Sequence, residues 1–213
     1  MLLFGNDIIS ILYFIPALLI SLAVHEASHA YTAYKLGDRS QKLLGRMSLD
    51  PLAHIDILGF ISIILVGFGW GKPVLVDDSS FKNKKRDNML VAIAGPISNL
   101  VIAVFFTIIL KLLYIFDVNL IQNNIINVLL TMIQLTIKFN VVFAVFNMLP
   151  LPPFDGSKIL MYFLPYKFKN IMDSLEKYSF FIIIILLVTG TVNYIIMPFV
   201  NGIEYILNII LKL

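Results

Sequence analysis

Two histidines and a glutamate are the residues of this sequence whose spacing best fits a known chemistry. The hexapeptide VHEASH at residues 24–29 fits the pattern H-E-x-x-H. On a helix this pattern places His25 and His29 on one face, where both imidazoles can bind one zinc ion. Glu26 lies beside that face, and its carboxylate can take a proton from water activated by the metal and pass it to a leaving amine. The motif therefore predicts metal-assisted hydrolysis.

The surroundings of the motif strengthen this prediction. It lies within a long apolar stretch, residues 8–36, that is predicted to be a helix. Ionisable groups inside a membrane helix cost at least about 2–3 kcal/mol each when nothing compensates them, and this helix carries three of them within five residues. The alternative is a polar patch of histidine and glutamate that only joins helices.

A catalytic zinc ion usually needs a third protein ligand and an open position for water. Since the chain has no cysteine, that ligand must be a histidine or a carboxylate. The best candidate is Asp155, in the segment NMLPLPPFDG at residues 147–156, where three prolines force extended backbone and a glycine permits a turn back into the bundle. Two alternatives stay open: Asp155 caps a helix that starts near Ser157, or His54 or Asp56 supplies the third ligand.

The composition places these residues in a membrane protein. Of the 213 residues 59% are hydrophobic and only 14% are charged, with a mean hydropathy of +0.91, which excludes an ordinary soluble domain. A backbone in lipid must satisfy its own hydrogen bonds, so the long apolar runs are predicted to be helices. The small net charge of +3, carried in short loops, suits a lipid bilayer rather than nucleic acid. We predict an all-α polytopic protein with about four to six transmembrane helices.

Loop charges orient the first part of the chain. The polar loop after residues 8–36 is basic and is predicted to be cytoplasmic. The next apolar run, residues 57–70, would span only roughly 21 Å of a core that is roughly 30 Å thick. Because residues 71–88 are basic again, this run is predicted to be a re-entrant segment that starts and ends on the same face.

Three further spans are predicted, at residues 89–110, 125–149 and 178–197. The loop at residues 117–124 has no Lys or Arg and is predicted to be external, whereas the polar stretch after residue 149 is basic and cytoplasmic. Lys138 falls near the middle of its span, which favours a shallow piece followed by a shorter helix.

The tail after Pro198 is predicted to be too short to span the membrane and to lie at the interface or close the bundle. We treat residues 1–213 as one integral-membrane metalloprotease domain, because the sequence has no internal repeat or linker. Within it the catalytic core covers about residues 8–165 and C-terminal helices cover about residues 166–213.

Five motifs in a fixed order resemble the compact bacterial and archaeal site-2 protease family. They are HEASH at 25–29, GRMSLDPLAHID at 45–56, GWGKPV at 69–74, AGPISN at 94–99 and NMLPLPPFDG at 147–156. The resemblance implies one zinc ion per chain, bound by His25, His29 and Asp155, with Glu26 as the catalytic base. It also implies an active site within the plasma membrane, nearer its cytoplasmic side.

The resemblance further implies that the substrates are transmembrane or membrane-bound proteins, such as anti-sigma factors or membrane-tethered regulators. Asn147 and Asn99 match family asparagines that orient substrate or support the site. The chain departs from the family where relatives read Leu-Asn-Pro and it has Asp50; the amide is lost there, and the turn is expected to be kept.

Residues 69–76 contain Gly, Trp and Pro followed by β-branched residues, which predicts a small edge strand near the site. An exposed strand edge can hold a substrate extended by β-addition. The alternative is an interfacial loop anchored by Trp70, and we expect Trp70 and His54 to support the site. Two rival functions are a non-catalytic membrane scaffold or chaperone of the same fold and an ion transporter with His, Glu and Asp as relay groups.

Overall fold

The architecture is mostly helical in the part of the chain that the computed structural model describes, which comprises residues 8–66, 69–116 and 124–212. Eight α-helices follow one another within these ranges: α1 (Ile8–Leu36), α2 (Ser40–Leu43), α3 (Ile57–Val66), α4 (Lys84–Phe116), α5 (Asn124–Asn147), α6 (Asp155–Phe163), α7 (Lys169–Val188) and α8 (Thr191–Lys212). Four of them, α1, α4, α5 and α8, are long and apolar enough to cross a membrane. The prediction of a helical, polytopic protein is confirmed at this level.

Three helices form the centre of the bundle. Helices α1, α4 and α5 pack against one another pairwise, α6 packs against α4, and α8 packs against α5 and α4. Small side chains at helix contacts allow backbones to approach closely, so that van der Waals packing can hold helices together in lipid. The buried alanines of the three central helices are Ala17, Ala23, Ala27, Ala30, Ala33, Ala92, Ala103 and Ala144.

Helix α4 begins at Lys84, five residues before the start predicted from hydropathy at residue 89. Asn83 caps it, because its side-chain oxygen accepts a hydrogen bond from the backbone N–H of Arg86 at 3.1 Å. In return, the Asp87 carboxylate accepts from the N–H of Asn83 at 3.0 Å. These reciprocal bonds satisfy free donors of the first turn, so the helix extends into a polar stretch that hydropathy alone does not assign to it.

The span predicted at residues 178–197 is wrong. The chain turns at Gly190, which has a φ of 70°, a backbone conformation that favours glycine, and the turn separates α7 from α8. The membrane-capable helix is α8, whose 22 residues reach about 33 Å. The tail judged too short to span is therefore long enough, because the helix starts before Pro198 rather than after it.

The interpretation of Lys138 is also wrong. Helix α5 runs without a break from Asn124 to Asn147, so there is no shallow piece followed by a shorter helix. Lys138 is exposed on the outer face of α5, whereas Thr136 and Asn140 are buried. A lysine on the outer face can extend its long side chain along the protein surface towards a more polar level, which explains why the helix continues through it.

Residues 69 and 70 lie against α3. A Cβ atom at Gly59 would collide with the carbonyl oxygen of Trp70, and one at Gly69 would collide with the carbonyl oxygen of Gly59. Among the described residues, β pairing is limited to one isolated antiparallel bridge between Ile55 and Gly71, so the small edge strand stays a prediction. The external loop predicted at residues 117–124 lies, apart from residue 124, outside the described residues.

Candidate metal centre

Three donor atoms from two elements converge inside the bundle. The Nε2 atoms of His25 and His29 on α1 lie 2.9 Å apart, and the Asp155 Oδ2 atom lies 3.2 Å from the first and 3.1 Å from the second. All three residues are buried, and they form the one candidate metal cluster found within the described ranges. The fold thus brings the two histidines of the motif together with the carboxylate of Asp155, which lies 126 residues beyond His29 in the sequence.

The position of Asp155 follows from the way α6 begins. Asp155 is the first residue of α6, so it does not cap a helix that starts near Ser157. A Cβ atom at Gly156 would collide with the carbonyl oxygens of Met148 and Leu149, which means that only a glycine lets α6 lie this close to the end of α5. The close approach directs the Asp155 carboxylate towards the histidines of α1.

Hydrogen bonds on the far side of each imidazole define where its proton resides. His29 Nδ1 lies 2.7 Å from the carbonyl oxygen of Val91, which can only accept, so this nitrogen carries the proton. Asn99 donates its amide to the carbonyl oxygen of Ser21 at 3.0 Å, so its oxygen faces His25 Nδ1, at 2.7 Å, and accepts from it. In the neutral imidazoles both Nε2 atoms are therefore left with lone pairs that point at each other and at the carboxylate.

Three facing acceptors at this separation need a cation between them. The Oδ2 atom of Asp155 is buried and has no hydrogen-bond donor among the described residues, as expected if neither facing nitrogen carries a proton. Zinc binds nitrogen and oxygen at about 2.0–2.1 Å in tetrahedral sites, which places neighbouring donors roughly 3.3 Å apart. The observed separations of 2.9 to 3.2 Å lie within a few tenths of an ångström of that value, so the donor set fits zinc.

Helix α4 lies directly over the two imidazoles. A Cβ atom at Gly95 would lie 2.5 Å from His29 Nε2 and 2.6 Å from His25 Cε1, closer than any side chain allows. On another side the ring of Phe143 packs at 4.8 Å from the ring of His25. The imidazoles are therefore held by packing as well as by hydrogen bonds, which fixes the direction of their lone pairs.

Asn140, which was not predicted from the sequence, extends this network into α5. Asn140 is fully buried; its oxygen accepts from the Asn99 amide at 2.9 Å, and its own amide donates to the carbonyl oxygen of Thr136 at 2.8 Å. It thereby helps to hold the Asn99 amide in the orientation that serves His25. A polar residue inside an apolar span was the signal that could have identified it.

Glu26 lies on α1 beside the cluster and has a backbone partner. Its Oε2 atom accepts a hydrogen bond from the N–H of Val74 at 3.0 Å. Val74 belongs to residues 69–76, so the structure brings this stretch to the motif. The second carboxylate oxygen has no such partner among the hydrogen bonds of the described residues, which leaves one oxygen of Glu26 available for proton transfer.

The rival ligands lie elsewhere. His54 is fully buried, its Nε2 atom donates to the carbonyl oxygen of Ser48 at 2.8 Å, and it supports the loop rather than the cluster. The Asp56 carboxylate accepts from the N–H of Gly59 at 2.9 Å and so caps the start of α3. Neither joins the candidate metal centre. Asp50 accepts from a backbone N–H two residues on, at 3.0 Å, so the turn there is kept.

Two residues predicted to support the site, Asn147 and Trp70, have contacts within the described part of the chain that do not reach the cluster. The Asn147 amide donates to the carbonyl oxygen of Phe143 in its own helix at 3.0 Å. Trp70 is 44% exposed, and its carbonyl oxygen lies against Gly59 of α3. Roles for Asn147 and Trp70 in substrate binding stay predictions.

Comparisons with known proteins identify the family. The family model for peptidase family M50 matches residues 13–125 and 111–190. The protein provisionally named zinc metalloprotease YwhC of Bacillus subtilis (strain 168) is 36% identical over 198 residues, which is 89% of this chain and 86% of that relative. No solved structure matches the chain.

Two further relatives are also provisionally named as zinc metalloproteases. Zinc metalloprotease Rip2 of Mycolicibacterium smegmatis is 28% identical over 82% of this chain and 66% of its own length. Zinc metalloprotease MJ0611 of Methanocaldococcus jannaschii is 31% identical over 74% of this chain and 75% of its own length. These matches confirm the family resemblance that the sequence motifs indicate. The chain belongs to peptidase family M50, the site-2 proteases, and is an intramembrane zinc metalloprotease.

Proposed function

We propose that this chain hydrolyses peptide bonds of transmembrane or membrane-bound proteins with His25, His29 and Asp155 as the zinc ligands and Glu26 as the general base. The observation that carries the proposal is the convergence of three buried lone-pair donors within 3.2 Å of one another. The hydrogen bonds of the two Nδ1 atoms leave these donors without a proton to share, and a metal ion satisfies all three at once.

Each residue of the site has a separate role in hydrolysis. When bound, zinc polarises the scissile carbonyl and lowers the pKa of water to about 7. His25, His29 and Asp155 supply three ligands and leave a position open, which is the arrangement of a catalytic rather than a structural site. Glu26 takes the proton from the attacking water on its free oxygen and then returns it to the leaving amine.

The proposed substrates are membrane-bound proteins, including regulators such as anti-sigma factors, held in extended form. Residues 69–76 support this proposal because they run outside any helix beside Glu26, where an extended segment can add to them. A helical substrate hides its scissile carbonyls in hydrogen bonds. Cleavage is therefore expected near Gly, Asn or Pro, where unwinding costs least.

We place the protein in the plasma membrane with the active site nearer the cytoplasmic side. His25 lies 11 residues from the end of α1 at Leu36 and 17 residues from its start at Ile8, which correspond to about 17 and 26 Å. The basic loop that follows Leu36 supports a cytoplasmic position for that end. The return of residues 69–70 along α3 supports a re-entrant segment.

The ligand roles are tested by measuring zinc per purified chain. His25→Ala, His29→Ala and Asp155→Ala should each lower the zinc content, because each removes one of three ligands. Asp56→Ala is the matched control, a carboxylate that caps α3 instead, and should keep its zinc. Full zinc retention in Asp155→Ala would show that the third ligand lies elsewhere.

Glu26→Gln tests the base separately, since a base is not a ligand. This variant should keep zinc and lose proteolysis, measured as cleavage of fluorescently labelled casein in detergent. Proteolysis at the wild-type rate by Glu26→Gln would remove Glu26 from the mechanism while leaving the metal site intact.

The orientation is tested with single cysteines, which the absence of native cysteine makes simple. Leu43→Cys, at a position that is 87% exposed, and Ser80→Cys should both be shielded from an impermeant thiol reagent in intact cells and react after permeabilisation. Asn123→Cys, in the loop predicted to be external, should react in intact cells. Labelling of Ser80→Cys alone among the first two would show that α3 and the residues after it cross the membrane.

A further inference from the structure

A buried arginine lies near the catalytic motif without a carboxylate partner among the described residues. Arg46 is only 7% exposed, and its guanidinium donates to three backbone carbonyls, those of Ala53, Pro73 at 2.9 Å and Lys72 at 3.3 Å. Burying an unpaired charge is costly. The planar donor array of arginine, however, can join several acceptors in one fixed geometry, so Arg46 ties two stretches of backbone together.

One of these stretches, residues 71–77, runs along helix α1 towards its C-terminal end and is called here the α1-flanking segment. It starts beside Ile55, with which Gly71 forms the antiparallel bridge. A Cβ atom at Gly71 would lie 2.7 Å from a methyl group of Leu22, so the backbone lies directly on α1. Three residues later the N–H of Val74 donates to Glu26, which is one helical turn beyond Leu22.

Val74 is held from both sides. The carbonyl of the preceding residue, Pro73, accepts from Arg46 at 2.9 Å. The carbonyl of the following residue, Leu75, accepts from the side-chain amide of Gln41 at 2.7 Å, and Gln41 is fully buried. The N–H of Val74 therefore points at Glu26 because buried side chains fix its neighbours on either side.

We infer that Arg46 is a positioning residue for proteolysis, which fixes the α1-flanking segment so that the N–H of Val74 holds the carboxylate of Glu26. A glutamate side chain has several rotatable bonds, and a general base must stay within hydrogen-bond reach of the proton that it takes. The bond to Oε2 fixes the carboxylate and leaves its other oxygen for the proton. The inference rests on the proposed role of Glu26 as base.

Arg46→Gln tests the inference through kinetics. Its kcat for fluorescently labelled casein in detergent should fall about 100-fold, the loss expected when a reacting group is misplaced by about 1 Å. KM should stay within about twofold of wild type, and zinc per chain should not change, because no ligand is touched. Arg39→Gln is the matched control: it removes an exposed arginine at the other end of α2 and should behave as wild type.

Hydrogen–deuterium exchange provides a readout that is independent of activity. In Arg46→Gln the amide of Val74 should exchange at least about tenfold faster than in wild type, since its acceptor is no longer aligned. Glu26→Ala should accelerate exchange at Val74 but not at Lys72, whose N–H donates to the carbonyl of His54 at 2.8 Å. Arg46→Lys keeps the charge but not the planar fork, so both effects should be intermediate.

The outcomes separate the inference from the proposed function. Proteolysis that survives in Glu26→Gln contradicts the proposed base and the inference with it. If Glu26→Gln is inactive and holds zinc, but Arg46→Gln matches Arg39→Gln in kcat and in exchange at Val74, only the inference is wrong. Loss of zinc or of the fold in both Arg46→Gln and Arg46→Lys would make Arg46 a structural residue and would also overturn it.

Discussion

The helices around the candidate metal centre and the C-terminal helices α7 and α8 are held together by different interactions. Around the candidate metal centre, α1, α4 and α5 meet through buried polar side chains, and His25, Asn99 and Asn140 form one continuous hydrogen-bonded chain. The buried residues of α8 are apolar instead, namely Val192, Ile196, Val200 and Leu207. Both regions are helical, but among the described residues buried side-chain hydrogen bonds join neighbouring helices in the first region and not in the second.

The two kinds of contact specify the arrangement of the helices to different degrees. A buried polar network has one arrangement that satisfies every donor and acceptor, because unpaired groups are costly at low dielectric. An apolar stripe, such as that of α8 against Ala103 and Val141, requires only that one face be covered at about the right volume. We therefore expect small changes around the candidate metal centre to abolish function and small changes in α7 and α8 to be tolerated.

The largest effect is expected from a single methyl group. In Gly95→Ala the new Cβ atom would lie 2.5 Å from His29 Nε2, so α4 or the imidazoles must move, and the variant should bind zinc poorly or not at all. The matched control is Gly202→Ala in α8, where a Cβ atom meets nothing within 4 Å. It should keep zinc and gain about 0.5–1 kcal/mol of stability. Normal zinc content in Gly95→Ala would contradict the expectation that the region around the candidate metal centre tolerates small changes less well than α8 does.

Removing one hydrogen-bonding group should have the next largest effect. Asn99→Leu leaves His25 Nδ1 and the carbonyl of Ser21 without their partners, and loss of such an outer partner lowers metal affinity about 10–100-fold. Competition with a zinc chelator measures this change. Asn201→Leu makes the same substitution at an exposed position of α8 and should leave zinc affinity unchanged. Equal affinities in the two variants would contradict the role assigned to Asn99.

The same contrast explains which parts could be predicted from the sequence. The ends of α1 match the prediction of residues 8–36, and His25, His29 and Asp155 lie together because residue type and spacing already restrict where such groups can be placed. Asn140 was missed because a single asparagine in an apolar run gives no partner. Its function depends on the distance between helices, which only the packing determines.

The C-terminal helices could not be predicted in the same way. Hydropathy gives the total amount of apolar sequence between about residues 178 and 212, but it does not say where a helix ends. The turn at Gly190 decides that, and a glycine in an apolar run is read equally well as part of a membrane helix, where glycine is common. The division into α7 and α8 therefore had to come from the structure.

The same contrast can be tested through pH, with the buried carboxyl group of Asp38. Burial alone would raise the pKa of the Asp38 carboxyl, but hydrogen bonds from the Ser40 side chain, the N–H of Asp77 and the Gln41 amide outweigh it and lower the pKa below its usual value. The carboxylate therefore stabilises the folded state above the unfolded pKa, about 4, and this contribution is lost as the pH falls through the lowered pKa.

Asp38→Asn should consequently lower the free energy of unfolding by about 1.5 kcal/mol at pH 7, with a smaller difference from wild type below about pH 4. Thermal unfolding in detergent at the two pH values measures it. Asp173→Asn, at an exposed position of α7, should differ little from wild type at either pH. A difference for Asp38→Asn that grows on acidification would contradict the direction of the pKa shift.

The smallest effect is expected at the turn between α7 and α8. Gly190 has a φ of 70°, which costs a residue with a Cβ atom roughly 1 kcal/mol, while a Cβ atom there would meet nothing within 4 Å. Gly190→Ala should therefore lower the melting temperature slightly through backbone strain alone. Gly190→Asn should lower it less, because asparagine tolerates this conformation better. Both variants should keep zinc and proteolysis at wild-type levels, since the turn lies outside the polar network. A zinc content in Gly190→Ala well below that of wild type, in protein that is still folded, would show that the C-terminal helices position the candidate metal centre after all.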